Sequence, residues 1–163
     1  MSLSGKGKKQ PEFYVIAHNI RSLYNVGSIF RTADAFAVSK LYLTGYTGTP
    51  KGQVMAKRIG KVALGAETWL PWEYVRSAAA LIRRLRAEGV QIVGLENNVS
   101  ARALSGFKPK FPLALLLGEE VKGIPRPLLK LCDTVVEIPM AGKKESLNVS
   151  VAFGIAAYGL KCG

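Results

Sequence analysis

The chain has 163 residues, with 23 Lys and Arg against 11 Asp and Glu, which gives a formal net charge of +12 at pH 7. That length suits one domain with a single core, and so large a basic excess favours a polyanionic partner, above all nucleic acid. The sequence has no apolar run of about 18 residues, which argues against a membrane span. Its single His and two distant Cys argue against a zinc site, a disulfide framework and a Ser-His-Asp triad.

These properties lead us to expect a cytoplasmic protein, or at most a nuclear or organellar one, that needs no metal. Cys132 and Cys162 are expected to be reduced. Residues 1–11 are polar and basic and lack the apolar segment of a signal peptide. We therefore predict a disordered basic tail over residues 1–11 and a single domain over residues 12–163.

The predicted elements alternate between strand and helix along the chain. The first half contains a buried strand at 13–17, a polar turn at 18–25, a helix at 27–38, a strand at 41–43, a loop at 44–52, a basic helix at 53–60 and an extended piece at 68–71. The second half contains an amphipathic helix at 73–88, a strand at 90–95, an apolar run at 111–117, a loop at 118–123, a short helix at 125–131, a strand at 135–138 and a helix to residue 160. This alternation predicts an α/β fold with a mostly parallel sheet flanked by helices.

The basic residues are unevenly distributed. No acidic residue occurs between Asp34 and Glu67, whereas five basic ones do: Lys40, Lys51, Lys57, Arg58 and Lys61. This interval is the best candidate for a phosphate-contacting surface. A second basic set on the amphipathic helix, Arg83, Arg84 and Arg86, is better explained as a solvated face.

Three predicted strands end in polar or glycine-containing segments, and ligands of open parallel sheets bind at such carboxyl ends. The segments are Leu95-Glu96-Asn97, Leu117-Gly118-Glu119-Glu120 and Ile138-Pro139-Met140. Neither a GxGxxG fingerprint after the first strand nor a Walker sequence occurs, so the ordinary dinucleotide and P-loop sites are disfavoured.

The third of these segments continues through a short basic loop into the last helix. Pro139 ends the strand because it has no N–H to donate, and Gly142 allows a sharp turn. Ser146 or Asn148 can cap the helix. Taken alone, this stretch is better explained as an ordinary capped helix after a strand, because capping is the usual role of Ser and Asn at such positions.

Three stretches considered together are more specific than any one of them. They are the run from Asn19 to Asp34, which contains Asn25 and Arg31, the run Leu117-Gly-Glu-Glu-Val-Lys-Gly123, and Ser146-Leu147-Asn148. In this order and spacing they closely resemble the three motifs of the SpoU (TrmH-like) RNA ribose methyltransferases of the SPOUT superfamily. The resemblance implies an α/β domain with a deep trefoil knot near the C-terminus. It also implies S-adenosyl-L-methionine bound in that knot and a homodimer with active sites at the interface.

The resemblance also assigns roles to residues. Cofactor contacts fall on eight residues: Leu95, Glu96, Leu117, Gly118, Ile138, Met140, Ser146 and Leu147. The catalytic group consists of Arg31, Asn25, Glu120, Asn148 and Ser146. RNA contacts are expected from Arg21, Arg31, Lys51, Lys57, Arg58 and Lys61.

The reaction implied by the resemblance is transfer of a methyl group from a sulfonium to a ribose 2′-hydroxyl of transfer or ribosomal RNA. A guanidinium keeps its proton at neutral pH, so we expect Arg31 to bind the neighbouring phosphate and stabilise negative charge developing on the oxygen. Glu120 or the phosphate would take the hydroxyl proton.

Three alternatives remain at this stage: an enzyme of the same superfamily that methylates a base nitrogen, a non-catalytic RNA-binding module, and a general anion-binding protein. The motif residues Asn25, Arg31 and Asn148 favour ribose methylation. The last helix is rich in small residues, namely Ser150, Ala152, Gly154, Ala156, Ala157 and Gly159. They would permit close approach either of a helix of the same domain or of a second protomer.

Overall fold

The computed structural model of the chain describes residues 9–97 and 100–163. Seven strands are β1 (Phe13–His18), β2 (Lys40–Thr44), β3 (Trp72–Val75), β4 (Gln91–Leu95), β5 (Arg102–Ala103), β6 (Leu113–Leu117) and β7 (Thr134–Glu137). Six helices are α1 (Leu23–Ala35), α2 (Gln53–Ala63), α3 (Ala66–Trp69), α4 (Ala78–Ala87), α5 (Arg126–Leu129) and α6 (Val149–Cys162). The predicted tail at 1–11 falls mostly on residues 1–8, which lie outside the described residues.

The strands form one parallel sheet in the order β3-β2-β1-β6-β4-β7-β5. Its centre is the fully buried run Leu113–Leu117, which pairs with β1 on one side and β4 on the other. A strand buried on both faces is expected to be continuously apolar, as this one is. The predicted α/β fold with a parallel sheet flanked by helices is confirmed.

Helices cover both faces of the sheet. Alternate residues of β1 belong to different cores: Val15 packs in the core that includes residues of α1, α2, α3 and α6, whereas Ile16 packs in the core beneath α4 and α5. This is the period of two expected for a strand between two layers.

The boundaries of three predicted elements are wrong. Residues 72–75 form the strand β3 and not the start of a helix, because the Ser77 side chain accepts a hydrogen bond from the Ala80 N–H at 3.2 Å and α4 begins there. The piece predicted as extended at 68–71 is preceded by, and overlaps, the short helix α3. Helix α1 begins at Leu23 because Ser22 caps it, which frees the Asn25 side chain from a capping role.

The last helix packs against α1 within the chain. Of its small residues, Ser150, Ala156 and Ala157 are buried, and a Cβ built on Gly154 would lie 3.7 Å from Thr32 of α1. Close approach to a helix of the same domain therefore accounts for this part of the pattern. No helix in the described part of the chain is long and apolar enough to cross a membrane.

Candidate active site

The carboxyl ends of β4, β6 and β7 lie side by side and form the wall of a pocket. Gly94 pairs with Leu116, and Leu95 pairs with Val136, so the polar segments after these strands converge at one edge of the sheet. The loop before α6 closes the other side. The pocket is lined by Leu95, Glu96, Asn97, Leu117, Gly118, Glu119, Glu120, Gly123, Ile138, Leu147, Val149 and Ala152.

The turn after β6, which forms part of the pocket wall, requires glycine at two positions. A Cβ on Gly118 would lie 2.4 Å from the backbone of Gly123 and of Ile124, so no larger residue fits without moving the chain. Gly123 has φ 69°, in the left-handed region, and a Cβ there would meet the Glu96 carboxylate at 2.1 Å. The sequence motif requires glycine at both positions for these steric reasons.

Side chains at the end of β4 tie the pocket walls together. Glu96 accepts hydrogen bonds from the Ile124 N–H at 2.7 Å and from the Asn97 N–H at 3.1 Å. Asn97 donates from Nδ2 to the Ile138 carbonyl at 3.2 Å and accepts from the Ile138 N–H at 3.3 Å. The ends of β4, β6 and β7 are thereby held in a fixed mutual position.

A chain of hydrogen bonds runs along the rim of the pocket and joins three separate segments. Asn25 of α1 donates from Nδ2 to Glu120 Oε1 at 3.1 Å. Asn148 donates from Nδ2 to Asn25 Oδ1 at 3.1 Å. The Oδ1 atom of Asn148 in turn accepts from the Ser150 N–H at 2.9 Å and from the Ser150 hydroxyl at 2.6 Å, which caps α6. Asn25 is 5% exposed, so its amide is held by these two partners away from solvent.

Glu120 also anchors the start of α1. Its carboxylate accepts from the Arg21 N–H at 3.1 Å and from the Ser22 N–H at 3.2 Å, in addition to Asn25. Burial acts to raise the pKa of Glu120, but the hydrogen bonds from Asn25 and from the backbone outweigh it and lower this pKa below its usual value. Glu120 is therefore ionised at neutral pH.

The pocket is acidic although the chain as a whole is strongly basic. The carboxylates of Glu96, Glu119 and Glu120 all line it. Glu119 is 8% exposed and is paired with Arg21, the Arg21 Nη1 to Glu119 Oε1 distance being 3.9 Å. A pocket with apolar walls and several carboxylates suits a ligand that carries positive charge beside an apolar or aromatic group.

Most of the predicted site residues are brought together, and a few are not. Six of the eight predicted cofactor residues line the pocket. The other two, Met140 and Ser146, lie in the loop between the lining residues Ile138 and Leu147. Arg31 is exposed on α1 and is not among the lining residues. The predicted RNA-contacting residues Arg21, Lys51, Lys57, Arg58 and Lys61 are all exposed.

Sequence reasoning missed several lining residues. Asn97 and Glu119 lie within the strand-end segments but have no role in the resemblance, although their position directly after a buried strand was a usable signal. Val149 and Ala152 lie on the first turn of α6, and only the packing of that helix against the strand ends brings them to the pocket.

Comparison with known proteins gives a consistent result. The family described as SpoU rRNA Methylase matches residues 12–158. The 23S rRNA (guanosine-2′-O-)-methyltransferase RlmB of Shewanella oneidensis is 36% identical over 148 residues, which cover 90% of this chain and 57% of that protein. The chain thus spans less than two thirds of the length of that relative.

Solved structures agree with this result in three dimensions. The AdoMet-bound rRNA methyltransferase from Sinorhizobium meliloti superposes with a TM-score of 0.82 at 30% identity, covering 91% of this chain and 55% of that one. A structure from work on the 2-OH methylation of C/U34 on tRNA has a TM-score of 0.76 at 26% identity and covers 91% of this chain and 93% of that one. With its parallel sheet, its three converging motifs and these similarities, the chain belongs to the SpoU methylase family of the SPOUT superfamily.

Proposed function

We propose that this protein is an S-adenosylmethionine-dependent RNA methyltransferase that modifies a ribose 2′-hydroxyl. The observation that carries the proposal is the hydrogen-bond chain Glu120–Asn25–Asn148 at the rim of an acidic pocket. Three segments distant in sequence place polar groups of fixed orientation beside a ligand-sized site, which is an arrangement suited to positioning a reacting hydroxyl.

The pocket lining fits the cofactor that the family uses. Leu95, Leu117, Ile138 and Leu147 offer an apolar wall for an adenine ring, and the fixed carboxylate of Glu96 offers an acceptor for ribose hydroxyls. Bound there, S-adenosylmethionine would supply an electrophilic methyl group on a sulfonium. The carboxylates of the pocket favour binding of a positively charged molecule, and this attraction weakens once the sulfonium charge is lost.

The residues of the chain would then bind and orient the RNA. Arg31 is exposed on α1 and is proposed to contact the phosphate beside the target ribose, with the guanidinium remaining protonated. The exposed Asn148 is proposed to fix the direction of the 2′-hydroxyl, and the buried Asn25 is proposed to hold Asn148 and Glu120 in place. Positioning of this kind supplies a large part of the rate in a displacement.

The hydroxyl proton needs an acceptor at the same place. Glu120 is ionised, and among the described residues its Oε2 atom accepts one hydrogen bond, from the Arg21 N–H. This oxygen therefore has capacity to accept a second proton donor. We assign the proton to Glu120 or to the RNA phosphate, and the Glu120→Gln variant separates the two.

The homodimer and the trefoil knot expected from the resemblance stay predictions. Support for a dimer comes from an apolar stripe that α6 leaves exposed next to the pocket: Val151 is 50% exposed, Ile155 42% and Tyr158 62%. A second copy covering this stripe would bring its own groups close to Leu147. We expect Ile155→Glu to give a monomer in light scattering. The matched variant Val54→Glu, at an exposed position of α2, should leave the dimer intact. A dimeric Ile155→Glu protein would contradict this interface.

The substrate class follows from charge and from the relatives. A net charge of +12 with exposed Lys51, Lys57, Arg58 and Lys61 favours an RNA backbone. One relative acts on 23S rRNA and one structure concerns tRNA, so both classes of RNA belong to the proposal. An RNA substrate favours a cytoplasmic location.

The experiment that tests the proposal uses tritium-labelled S-adenosylmethionine and total RNA. We expect label to enter RNA with the native protein and to be lost with heat-treated protein. Incorporation should fall as salt is raised, because the phosphate contacts are screened. RNA binding without any incorporation of label would refute the enzymatic function and favour a non-catalytic RNA-binding module.

A further inference from the structure

A tyrosine on the loop after β2 stands out beside the candidate active site. Tyr46 is 56% exposed, although it lies at the carboxyl edge of the same sheet as the pocket. It lines a surface cleft together with Arg21, Glu119 and Lys122. Glu119 also lines the pocket described above, so the two sites are contiguous.

The backbone that carries this ring is tightly held. The Tyr46 N–H donates to Asn19 Oδ1 at 3.0 Å, and the Thr47 hydroxyl donates to the β1 backbone at 2.9 Å while accepting from the Ile20 N–H at 3.0 Å. The Tyr74 hydroxyl donates to the Gly45 carbonyl at 2.7 Å. These bonds fix the backbone position from which the Tyr46 side chain projects before any ligand arrives.

The local conformation supports the same conclusion. Asn19 has φ 54°, in the left-handed region, and this conformation directs its side chain to the Tyr46 N–H. Gly45 has φ 64°, and a Cβ there would lie 1.8 Å from Asn19 Oδ1. Asn19 therefore adopts a backbone conformation that is uncommon for a residue other than glycine, and Gly45 leaves the space that the Asn19 side chain occupies when it binds the Tyr46 N–H.

Cationic side chains line both of the surface clefts that Tyr46 borders. Arg21, 68% exposed in its side chain, and Lys122 share the first cleft with Tyr46. Lys51 shares a second cleft with Tyr46, Met55 and Tyr74. Proteins bind single-stranded nucleic acid with exposed aromatic rings next to cationic side chains, the ring stacking on a base and the cations contacting phosphates.

We propose that Tyr46 stacks on an unpaired base next to the methylated nucleotide, and that the substrate is therefore a single-stranded loop or bulge and not a continuous duplex. This inference rests on the proposed function. In an A-form duplex the base faces are stacked on one another and cannot reach Tyr46, whereas unpaired bases can be splayed out. Tyr46 thereby acts as a specificity residue that selects the structure of the RNA.

The test compares Tyr46→Ala with Tyr46→Phe, which keeps the ring. The probe is a short fluorescent single-stranded RNA, and the same strand annealed to its complement serves as the duplex. We expect Tyr46→Ala to weaken single-strand binding by roughly 5- to 100-fold, the range for loss of one stacked base. Tyr46→Phe should bind like the wild type, and neither variant should change duplex binding.

A spectroscopic measurement separates stacking from a structural effect. An RNA containing 2-aminopurine should be quenched on binding to the wild type and to Tyr46→Phe, and less so on binding to Tyr46→Ala. Trp69→Ala, which removes another exposed ring, serves as the control and should quench like the wild type. S-adenosylmethionine binding measured by calorimetry should be equal in all four proteins.

The inference is overturned if Tyr46→Ala binds single strands like the wild type, if it loses single-strand and duplex binding equally, or if Tyr46→Phe fails in the same way. It is also overturned if Tyr46→Ala changes the oligomeric state in light scattering. These binding measurements require no cofactor, so they decide the role of Tyr46 separately from the methyl-transfer assay that decides the proposed function.

Discussion

Asn148 at the start of α6 donates a hydrogen bond from Nδ2 to Oδ1 of Asn25 in α1 at 3.1 Å, although 123 positions separate the two residues in sequence. The same Asn148 side chain caps α6 through Oδ1. One residue thus both begins a helix and fixes a buried amide at the pocket. The two functions use different atoms and can be separated by substitution.

We predict that two substitutions of Asn148 lower activity alike but differ in their effect on the free energy of unfolding. Asn148→Asp retains an acceptor for the cap but has no donor for Asn25, so it should be about 1 kcal/mol more stable than Asn148→Ala, while kcat falls on the order of 10²-fold in both variants. Asn148→Ala should lose both activity and about 1 kcal/mol of stability. Denaturant titrations with parallel methyl-transfer assays check this, and an active Asn148→Asp enzyme would contradict the positioning role of Asn25 and Asn148.

Glu120 is predicted to make the protein sensitive to acid. Its pKa is lowered in the folded protein because hydrogen bonds outweigh burial, so the folded state binds this proton less readily than the unfolded state. The resulting stabilisation is fully present above the ordinary carboxyl pKa and is lost as the pH falls through the lowered value. In Glu120→Gln the decline of unfolding free energy over this acid range should be shallower than in the wild type; identical slopes would contradict the assignment.

The same Glu120→Gln variant also tests the proton acceptor. If Glu120 takes the proton, single-turnover methyl transfer should fall by roughly 10²- to 10⁴-fold, the usual contribution of a general base. A normal rate and an unchanged pH profile would exclude Glu120 and leave the phosphate. Calorimetric binding of S-adenosylmethionine is the control, because loss of cofactor binding would explain a lower rate without any proton transfer.

Arg31 is predicted to act on the RNA and not on the cofactor. It is exposed and lies outside the pocket lining, so Arg31→Ala should leave S-adenosylmethionine affinity within about twofold while lowering kcat on the order of 10²- to 10³-fold. Arg31→Lys should recover part of this loss, since the charge is kept but the bidentate contact is not. An equal loss of cofactor binding and catalysis would place Arg31 in a different role.

The two cysteines are predicted to react very differently. Burial, assisted by the neighbouring Asp133 carboxylate, raises the pKa of Cys132 to about 12, whereas Cys162 is exposed. Iodoacetamide at about pH 8 should therefore label Cys162 rapidly and Cys132 slowly, and Cys162→Ser should abolish the fast phase of labelling. Fast labelling of Cys132 in the native protein, located by peptide mass spectrometry, would contradict the burial of that residue.

The strands that frame the pocket could be predicted from local patterns, because continuous apolar runs such as Leu113–Leu117 indicate burial on both faces. The boundary at Ser77 could not, since the apolar residues of β3 continue the helical spacing of α4 and only the cap separates them. Local patterns also gave no order for the strands. The insertion of β6 between β1 and β4 depends on contacts far apart in sequence.

In the candidate site, too, some features could be predicted from local sequence patterns and others could not. Residues directly after buried strands, such as Glu96 and Gly118, could be identified because parallel strands share one carboxyl edge. The hydrogen bonds that join Asn25 to Glu120 and Asn148 could not be deduced, because they depend on how α1 and α6 pack. The motif resemblance grouped these residues without giving their geometry, and the exposed position of Arg31 was likewise not evident.

The chemical position of the transferred methyl group tests the central claim most directly. Total RNA would be incubated with the protein and S-adenosylmethionine carrying a deuterated methyl group, digested to nucleosides and analysed by mass spectrometry. The proposed function predicts that the label appears on ribose, in nucleosides whose base fragment is unlabelled. Label on the base fragment would contradict ribose methylation and favour an enzyme of the same superfamily that modifies a base nitrogen.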